Sequence, residues 1–245
     1  MTAGGARPFL TARWVNLVLV NYRVPRELLL PHVPLGSELD TPDDAPDLHL
    51  LSLVAFHFDD TRVRGVPLVT ARHFPEVNLR CYVRRGPRRA TVFLREFVPA
   101  PLVALGARLL YQQPYHLATI AHRVAFAPDE VTVWTDFRHR AERGAIRLRA
   151  RNAPATPPTD SQEHFLKEHY WGFDRDRRGA SFRYRVEHPV WRTYPVADAR
   201  VTCDPGALLG GAWRGLDWPA ALHSVLFAAG SAVTVYGKEE LIVDG

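Results

Sequence analysis

Four charged residues interrupt runs that otherwise alternate as β-strands do, and they are the side chains best placed for chemistry. From Glu76 to Arg84, one face would carry Glu76, Asn78, Arg80 and Tyr82, and the other Val77, Leu79, Cys81 and Val83. In the next run, Thr91, Phe93, Arg95 and Phe97 would share one face, and Val92, Leu94, Glu96 and Val98 the other. An unpaired buried charge costs several kcal/mol, so these residues either face water or line a polar cavity with partners. An antiparallel sheet with one wet face explains the pattern without function. A pocket explains it with Glu76 as acid or base and arginine as anion clamp, because burial lifts a carboxyl group toward neutral pKa.

Other chemical signatures are weak or missing. His164 and Glu168 stand four apart on one helical face, a spacing metals use, but the segment is not HExxH and has no second histidine at the i+4 place, so no metal site is expected. Ser231 follows Gly230 without a GxSxG elbow, and Cys81 and Cys203 form no CxxC pair. The glycine-rich stretch 206–211 lacks both GK[ST] and a GxGxxG after a strand, so no cofactor is expected. Arg84, Arg85, Arg88 and Arg89 cluster at a presumed hairpin tip, where a solvated turn is the simpler reading, and no nucleic-acid partner is expected.

Composition limits the reaction classes. Of 31 basic side chains two are lysines, Lys167 and Lys238, leaving 29 arginines and a net charge of +5. Arginine cannot serve as an amine nucleophile, whereas carboxylate and phosphate binding are well supplied. Coding bias toward arginine accounts for the basic balance without function. The two cysteines make no disulfide framework, which suits a reducing cytoplasm. No apolar run reaches the roughly 18 residues of a membrane span, since Arg108 breaks Leu102–Tyr111, and Val15–Val20 is too short for a secretion signal.

The elements that must hold these residues are mostly strands. Runs at Arg13–Tyr22, Leu48–Phe58, Glu76–Arg84, Ala90–Val98, His116–Phe126, Val131–Phe137, Ala145–Ala150, Ala180–Glu187, Val196–Cys203 and Ala232–Tyr236 carry the β signal. Along the first, Trp14, Asn16, Val18, Val20 and Tyr22 would share one face and Val15, Leu17 and Leu19 the other. Arg85-Gly86-Pro87-Arg88 joins two runs as a hairpin. Helical signals lie after Pro25, at Leu102–Tyr111, and at Gln162–Trp171, where Asp160 and Glu163 fit a capping pattern and Gly172 a stop. Gly206–Pro219 has no assignable structure. The pattern is a mostly β (α+β) chain with decorating helices, and residues 1–245 read as one domain.

Several segments together resemble the DUF2071, or YqjF-like, family. They are Ala12-Arg13-Trp14 through Asn21-Tyr22-Arg23, Ser52-Leu53-Val54-Ala55-Phe56 with Asp60-Thr61-Arg62, Phe74-Pro75-Glu76-Val77-Asn78-Leu79-Arg80, Phe165-Leu166-Lys167-Glu168-His169-Tyr170, and His188-Pro189-Val190-Trp191. The last is close to the family's HPPW, with valine at the third place. That family is similar to the acetoacetate decarboxylase superfamily, which implies a closed, largely antiparallel β-barrel around a ligand cavity, with two or three decorating helices. At the place of that superfamily's Schiff-base lysine this chain has Pro114-Tyr115, so imine chemistry is disfavoured. By motif order the superfamily's glutamate corresponds to Glu76, and its substrate arginine to Arg13.

The sequence therefore leads to a cytoplasmic barrel that encloses a small organic anion, with Arg13, Arg80 or Arg95 meeting a carboxylate and Glu76 and Tyr115 at the reactive end. Turnover, by non-Schiff-base proton transfer such as enolisation, dehydration or lyase chemistry, and simple ligand binding both remain open. A third reading, an interaction protein, would use exposed aromatics such as Trp213 and Trp218. An oligomer is allowed but not specified.

Overall fold

The computed structural model describes residues 7–68, 71–101, 115–175 and 180–241. The chain begins with β1 (Pro8–Arg23), α1 (Arg26–Leu29), β2 (Glu38–Leu39), β3 (Leu50–Val63) and β4 (Val66–Pro67). There follow β5 (Phe74–Arg85), β6 (Arg88–Val98), β7 (Tyr115–Leu117), β8 (Thr119–Phe126), β9 (Glu130–His139) and β10 (Glu142–Arg151). Next are α2 (Gln162–Lys167), β11 (Trp171–Arg175), β12 (Ser181–Glu187), β13 (Thr193–Tyr194) and β14 (Val196–Val201). The chain finishes with α3 (Pro205–Leu209), α4 (Trp218–Ala221), β15 (Leu222–Tyr236) and β16 (Glu239–Glu240).

The large sheet runs β15-β1-β3-β5-β6 through antiparallel ladders and continues to β11 and β12. A β12–β15 pairing brings the order back to its start. The return is narrow. One parallel residue pair, Gly172 with Thr91, links β11 to β6, and two pairs link β12 to β15, whereas β1 and β15 pair over nearly their whole length. The architecture is thus mostly β and barrel-like, with two thin junctions in place of the continuous closure expected. A second sheet, β14-β10-β9-β8, buries Val131, Val133, Phe137, Ile146, Leu148 and Ala150 in the same apolar cluster as Val18, Val20, Val77, Leu79 and Cys81 on the outside of the large sheet. The inside of the large sheet forms a separate cluster with Leu17, Leu19, Val54, Phe56, Phe58, Phe74, Tyr82 and Trp191.

Two irregularities decide which side chains point inward. Asn16 has a positive φ of 60°, and the β1–β3 register shifts between Val15 and Val18. Strict alternation would put Trp14 with Val18 and Val20; the bulge instead puts Trp14 with Leu17 and Leu19 on the inner side. The freed Asn16 carbonyl lies 2.8 Å from His122 Nε2, and His122 Nδ1 lies 2.8 Å from Thr135 Oγ1, which docks the small sheet onto β1. The second bulge lies in β6, where Leu79 opposes Arg95 but Arg80 opposes Phe93.

The strands expected from alternation form, most extending a few residues further, except that the run His116–Phe126 divides into β7 on the large sheet and β8 on the small one. The ladder of β15 starts ten residues before the expected Ala232, at Leu222. The helix expected over Gln162–Trp171 ends at Lys167, and Trp171 begins β11; its cap is Ser161, whose hydroxyl accepts from His164 N, and not Asp160. The helix expected at Leu102–Tyr111 lies outside the described residues. The unassigned stretch holds α3 and α4, each capped by an aspartate, Asp204 or Asp217, ahead of a proline. It buries Trp213 and Trp218, which stack 6.3 Å apart, so the exposed aromatics required of an interaction protein are absent there. No helix among the described residues is long and apolar enough to cross a membrane.

Candidate functional site

Cross-strand register assembles the site. Asn78 on β5 lies opposite Glu96 on β6, and Glu96 lies opposite Tyr115 on β7, so these three side chains form a row on the inner face. Glu76, two residues from Asn78, stands diagonal to Glu96 on that face. All four are buried, Glu76 and Glu96 at 2% and 3% exposure.

Hydrogen bonds tie the carboxyl groups together. Asn78 Nδ2 donates to Glu76 Oε1 at 3.0 Å, and Tyr115 Oη donates to Glu76 Oε2 at 3.3 Å. Tyr115 also hydrogen-bonds Glu96. One phenol proton cannot serve two carboxylates. When Tyr115 donates to Glu76, the Glu96 side must carry a proton and donate to the phenol oxygen.

The electrostatics favour that state. Burial is the main cause lifting the Glu76 pKa to about 7, opposed by the Asn78 and Tyr115 hydrogen bonds. Glu96 is held well above the ordinary carboxyl range, first by burial and then by the charge of Glu76. Tyr115 is pushed up by burial and by both glutamates. The group is a proton-sharing chain of two carboxyls through one phenol, and its macroscopic titrations belong to the pair.

Arg80 continues the same face, four residues beyond Glu76, and is 9% exposed. Its Nη2 donates to the Leu166 carbonyl at 2.9 Å, while its Nε has no partner among the described residues. Glu96 Oε2, Asn78 Oδ1, Trp14 Nε1 and both ring nitrogens of buried His169 are likewise unpartnered among them. Native interiors leave few such atoms without a partner, and those of Asn78, Arg80 and Glu96, on the neighbouring strands β5 and β6, could meet water or a polar ligand. Phe56 lies opposite Glu76, and Trp14 meets Phe56, Phe58 and Trp191 edge-on at 5.6–6.5 Å, so aromatic rings flank the carboxyl group.

Arg95 and Arg13 do not join the site. The β6 bulge places Leu94 and Arg95 together on the outer side, where Arg95 Nη2 donates to the Leu209 carbonyl at 3.3 Å, and it brings Glu96 inward instead. Strict alternation gave the opposite assignment because a bulge leaves no mark in hydropathy. Arg13 is exposed beside inward Trp14. Glu76, Arg80 and Tyr115 stand inside as expected, and the sequence reading did not select Glu96.

The lysines lie elsewhere. Lys167 is fully buried with Nζ 2.6 Å from Glu168 Oε1, an adjacent charge pair that hydropathy does not reveal. Glu168 also accepts from Tyr170 Oη at 2.5 Å and from Trp191 N at 3.1 Å, so the segments Phe165–Tyr170 and His188–Trp191 are joined through one carboxylate. His188 stacks on Trp191 at 4.1 Å, and burial keeps it neutral-leaning by lowering its pKa. Lys238 lies over the Phe182 ring at 4.6 Å. Among the described residues, no cluster of three His, Cys, Asp or Glu side chains could hold a metal ion.

The profile of the DUF2071 family, described as an uncharacterized conserved protein, matches residues 11–232. Uncharacterized protein YqjF of Bacillus subtilis is 30% identical over 178 residues, covering 72% of each chain. The acetoacetate decarboxylase of Legionella pneumophila superimposes with a TM-score of 0.65 at 13% identity, over 99% of this chain and 92% of its own. The enduracididine biosynthesis enzyme MppR, complexed with pyruvate, does so with a TM-score of 0.64 at 13% identity, over 98% and 92%. By the profile that matches most of its length and the relative that is 30% identical over 178 residues, the chain belongs to the DUF2071 family, and it has the fold of the acetoacetate decarboxylases.

Proposed function

We infer that the inner face binds a small, partly apolar organic anion and moves a proton beside its carbonyl. The observation that carries this reading is the convergence of Glu76 and Glu96 on Tyr115, on the strand face that also presents Arg80. Arg80 supplies a charge-assisted partner for a carboxylate. A carboxyl titrating near 7 is suited to both give and take a proton at neutral pH. The Trp14, Phe56 and Phe58 rings would cover the apolar part of the ligand. A 2-oxo acid fits this chemistry, and the likeness in fold to an enzyme complexed with pyruvate supports the choice by analogy. Imine formation is disfavoured because the Lys167 ammonium is locked on Glu168 and Tyr115 occupies the place of the superfamily's lysine. Unpaired Cys81 and Cys203 fit a reducing compartment such as the cytoplasm.

The test is thermal unfolding against 2-oxo, 3-oxo and simple aliphatic acids, with products followed in parallel. An acid at about 100 times its Kd adds roughly 2.7 kcal/mol, which raises the midpoint by about 5–10 °C for a chain of this length. Glu76→Gln should keep the shift and abolish turnover. A shift without product in the wild type would reduce the reading to a binding protein. No shift with any acid would refute the anion pocket.

A further inference from the structure

The outer face of the small sheet, remote from the Glu76 chemistry, carries its own array of charged and aromatic side chains. The strands β8, β9, β10 and β14 turn their apolar side chains inward and leave the other face to solvent. Register sets Arg123, Trp134, Arg147 and Arg200 side by side in one row across all four strands. At roughly 4.8 Å per strand, that row spans about 14 Å. Trp134 is 39% exposed in its middle.

Beside this row is a cleft of about 540 Å³ whose lining includes Ala121, Asp136, Ala145, Thr119, Arg138 and Arg143. The small side chains of Ala121 and Ala145 form a floor one step along the strands from Trp134, and hydroxyl and guanidinium groups stand at its end. Carboxylates neutralise part of the face: Arg147 pairs with Asp136 at 2.6 Å, and Arg149 lies 3.7 Å from Glu130 and 4.0 Å from Asp198. Arg123, Arg138, Arg143 and Arg200 have no ion pair among the described residues. By contrast, the arginines of the β5–β6 hairpin are engaged, Arg84 with Glu38, Arg89 with Asp40 and Asp43, and Arg88 over the Trp171 ring.

We propose that this face binds single-stranded nucleic acid, with a base stacked on Trp134 and phosphates held by Arg123, Arg138, Arg143 and Arg200. The occupant follows from charge and shape. Four free guanidiniums spread over such a distance exceed what one phosphate needs, and every base has a π-face for the indole. A four-stranded sheet about 14 Å across is wider than the two-stranded ribbon that a major groove admits, which disfavours base reading in double-stranded DNA. The sequence-based expectation of no nucleic-acid partner rested on the hairpin arginines and did not consider this face.

Fluorescence anisotropy with fluorescein-labelled (dT)15 across a salt series tests the proposal. Binding should weaken with salt, with a log-log slope near 0.7 per phosphate contacted. Trp134→Ala should weaken binding about tenfold without changing that slope, and Trp134→Phe should recover most of it. Arg138→Ala with Arg143→Ala should reduce the slope by about 1.4. These side chains are on the surface, so far-ultraviolet circular dichroism and thermal midpoint should stay at wild-type values. Absence of binding would overturn the proposal, as would equal affinity for heparin or a 15-base-pair duplex, or indifference to Trp134→Ala. Self-association in sedimentation velocity that Trp134→Ala abolishes would assign the face to a second copy of the chain and overturn it equally.

Discussion

At the scale of the residue, Glu76 makes stability depend on pH in a direction opposite to that of a surface carboxylate. Its pKa is about 7 in the folded chain against an ordinary 4.5, because burial penalises its charge. Below the unfolded value both states hold the proton, and the stabilisation is complete. Between about 4.5 and 7 the unfolded chain loses the proton first, so stability falls as pH rises, and above 7 the slope from this group vanishes. Glu76→Gln should flatten that part of the profile. Its amide oxygen still accepts from Asn78, while its NH2 donates to Tyr115, whose proton turns to Glu96. Thermal midpoints from pH 5 to 8 should therefore drop less in the variant, which should equal or exceed the wild type at pH 8; an unchanged slope would contradict the assignment. Glu76 was legible because a charge in a β-patterned run demands an explanation. Glu96 stood one residue from the arginine chosen in its stead, and only the bulge separates their faces.

At the scale of the element, alternation identified every strand of six residues or more but could not count the residues that bulges insert. Hydropathy records which residues are apolar, and on β1 both faces are, so nothing in Trp14–Tyr22 shows that the phase changes at Asn16. The hairpin was legible because Gly86 takes its turn at a positive φ of 55°. The early end of α2 was not, since Glu168 accepts from the backbone N–H of Trp191, a tertiary contact that local pattern does not record. Gly230 answers the β1 bulge from the neighbouring strand. It has φ +77°, and a Cβ there would stand 1.9 Å from the Trp14 carbonyl oxygen, a backbone atom that cannot turn aside. Gly230→Ala should cost about 2 kcal/mol or more and lower the midpoint by at least about 4 °C. A midpoint within a degree of wild type would show that β1 and β15 separate there more easily than their register implies.

At the scale of the molecule, the barrel-like sheet has two faces with different tasks. Its outer face packs on the small sheet through an apolar layer, while its inner face keeps Glu76, Asn78, Arg80 and Glu96 among aromatic rings. Burying such groups costs stability, so their retention on one wall is the physical reason to regard the interior as a site rather than a core. The fold class was legible from strand count and segment order, but the thin β6–β11 and β12–β15 junctions depend on pairings of one and two residues that no local pattern encodes. A proton shared by Glu76 and Glu96 near neutral pH is what would set this interior apart from a core. Its most direct measurement is a pH titration of the δ-carboxyl carbons in protein labelled with ¹³C-glutamate, with Glu76→Gln used to assign the signal. One glutamate resonance should titrate with a midpoint near 7 and disappear in the variant. A Glu76 signal titrating between about 4 and 5, as an exposed glutamate does, would contradict it.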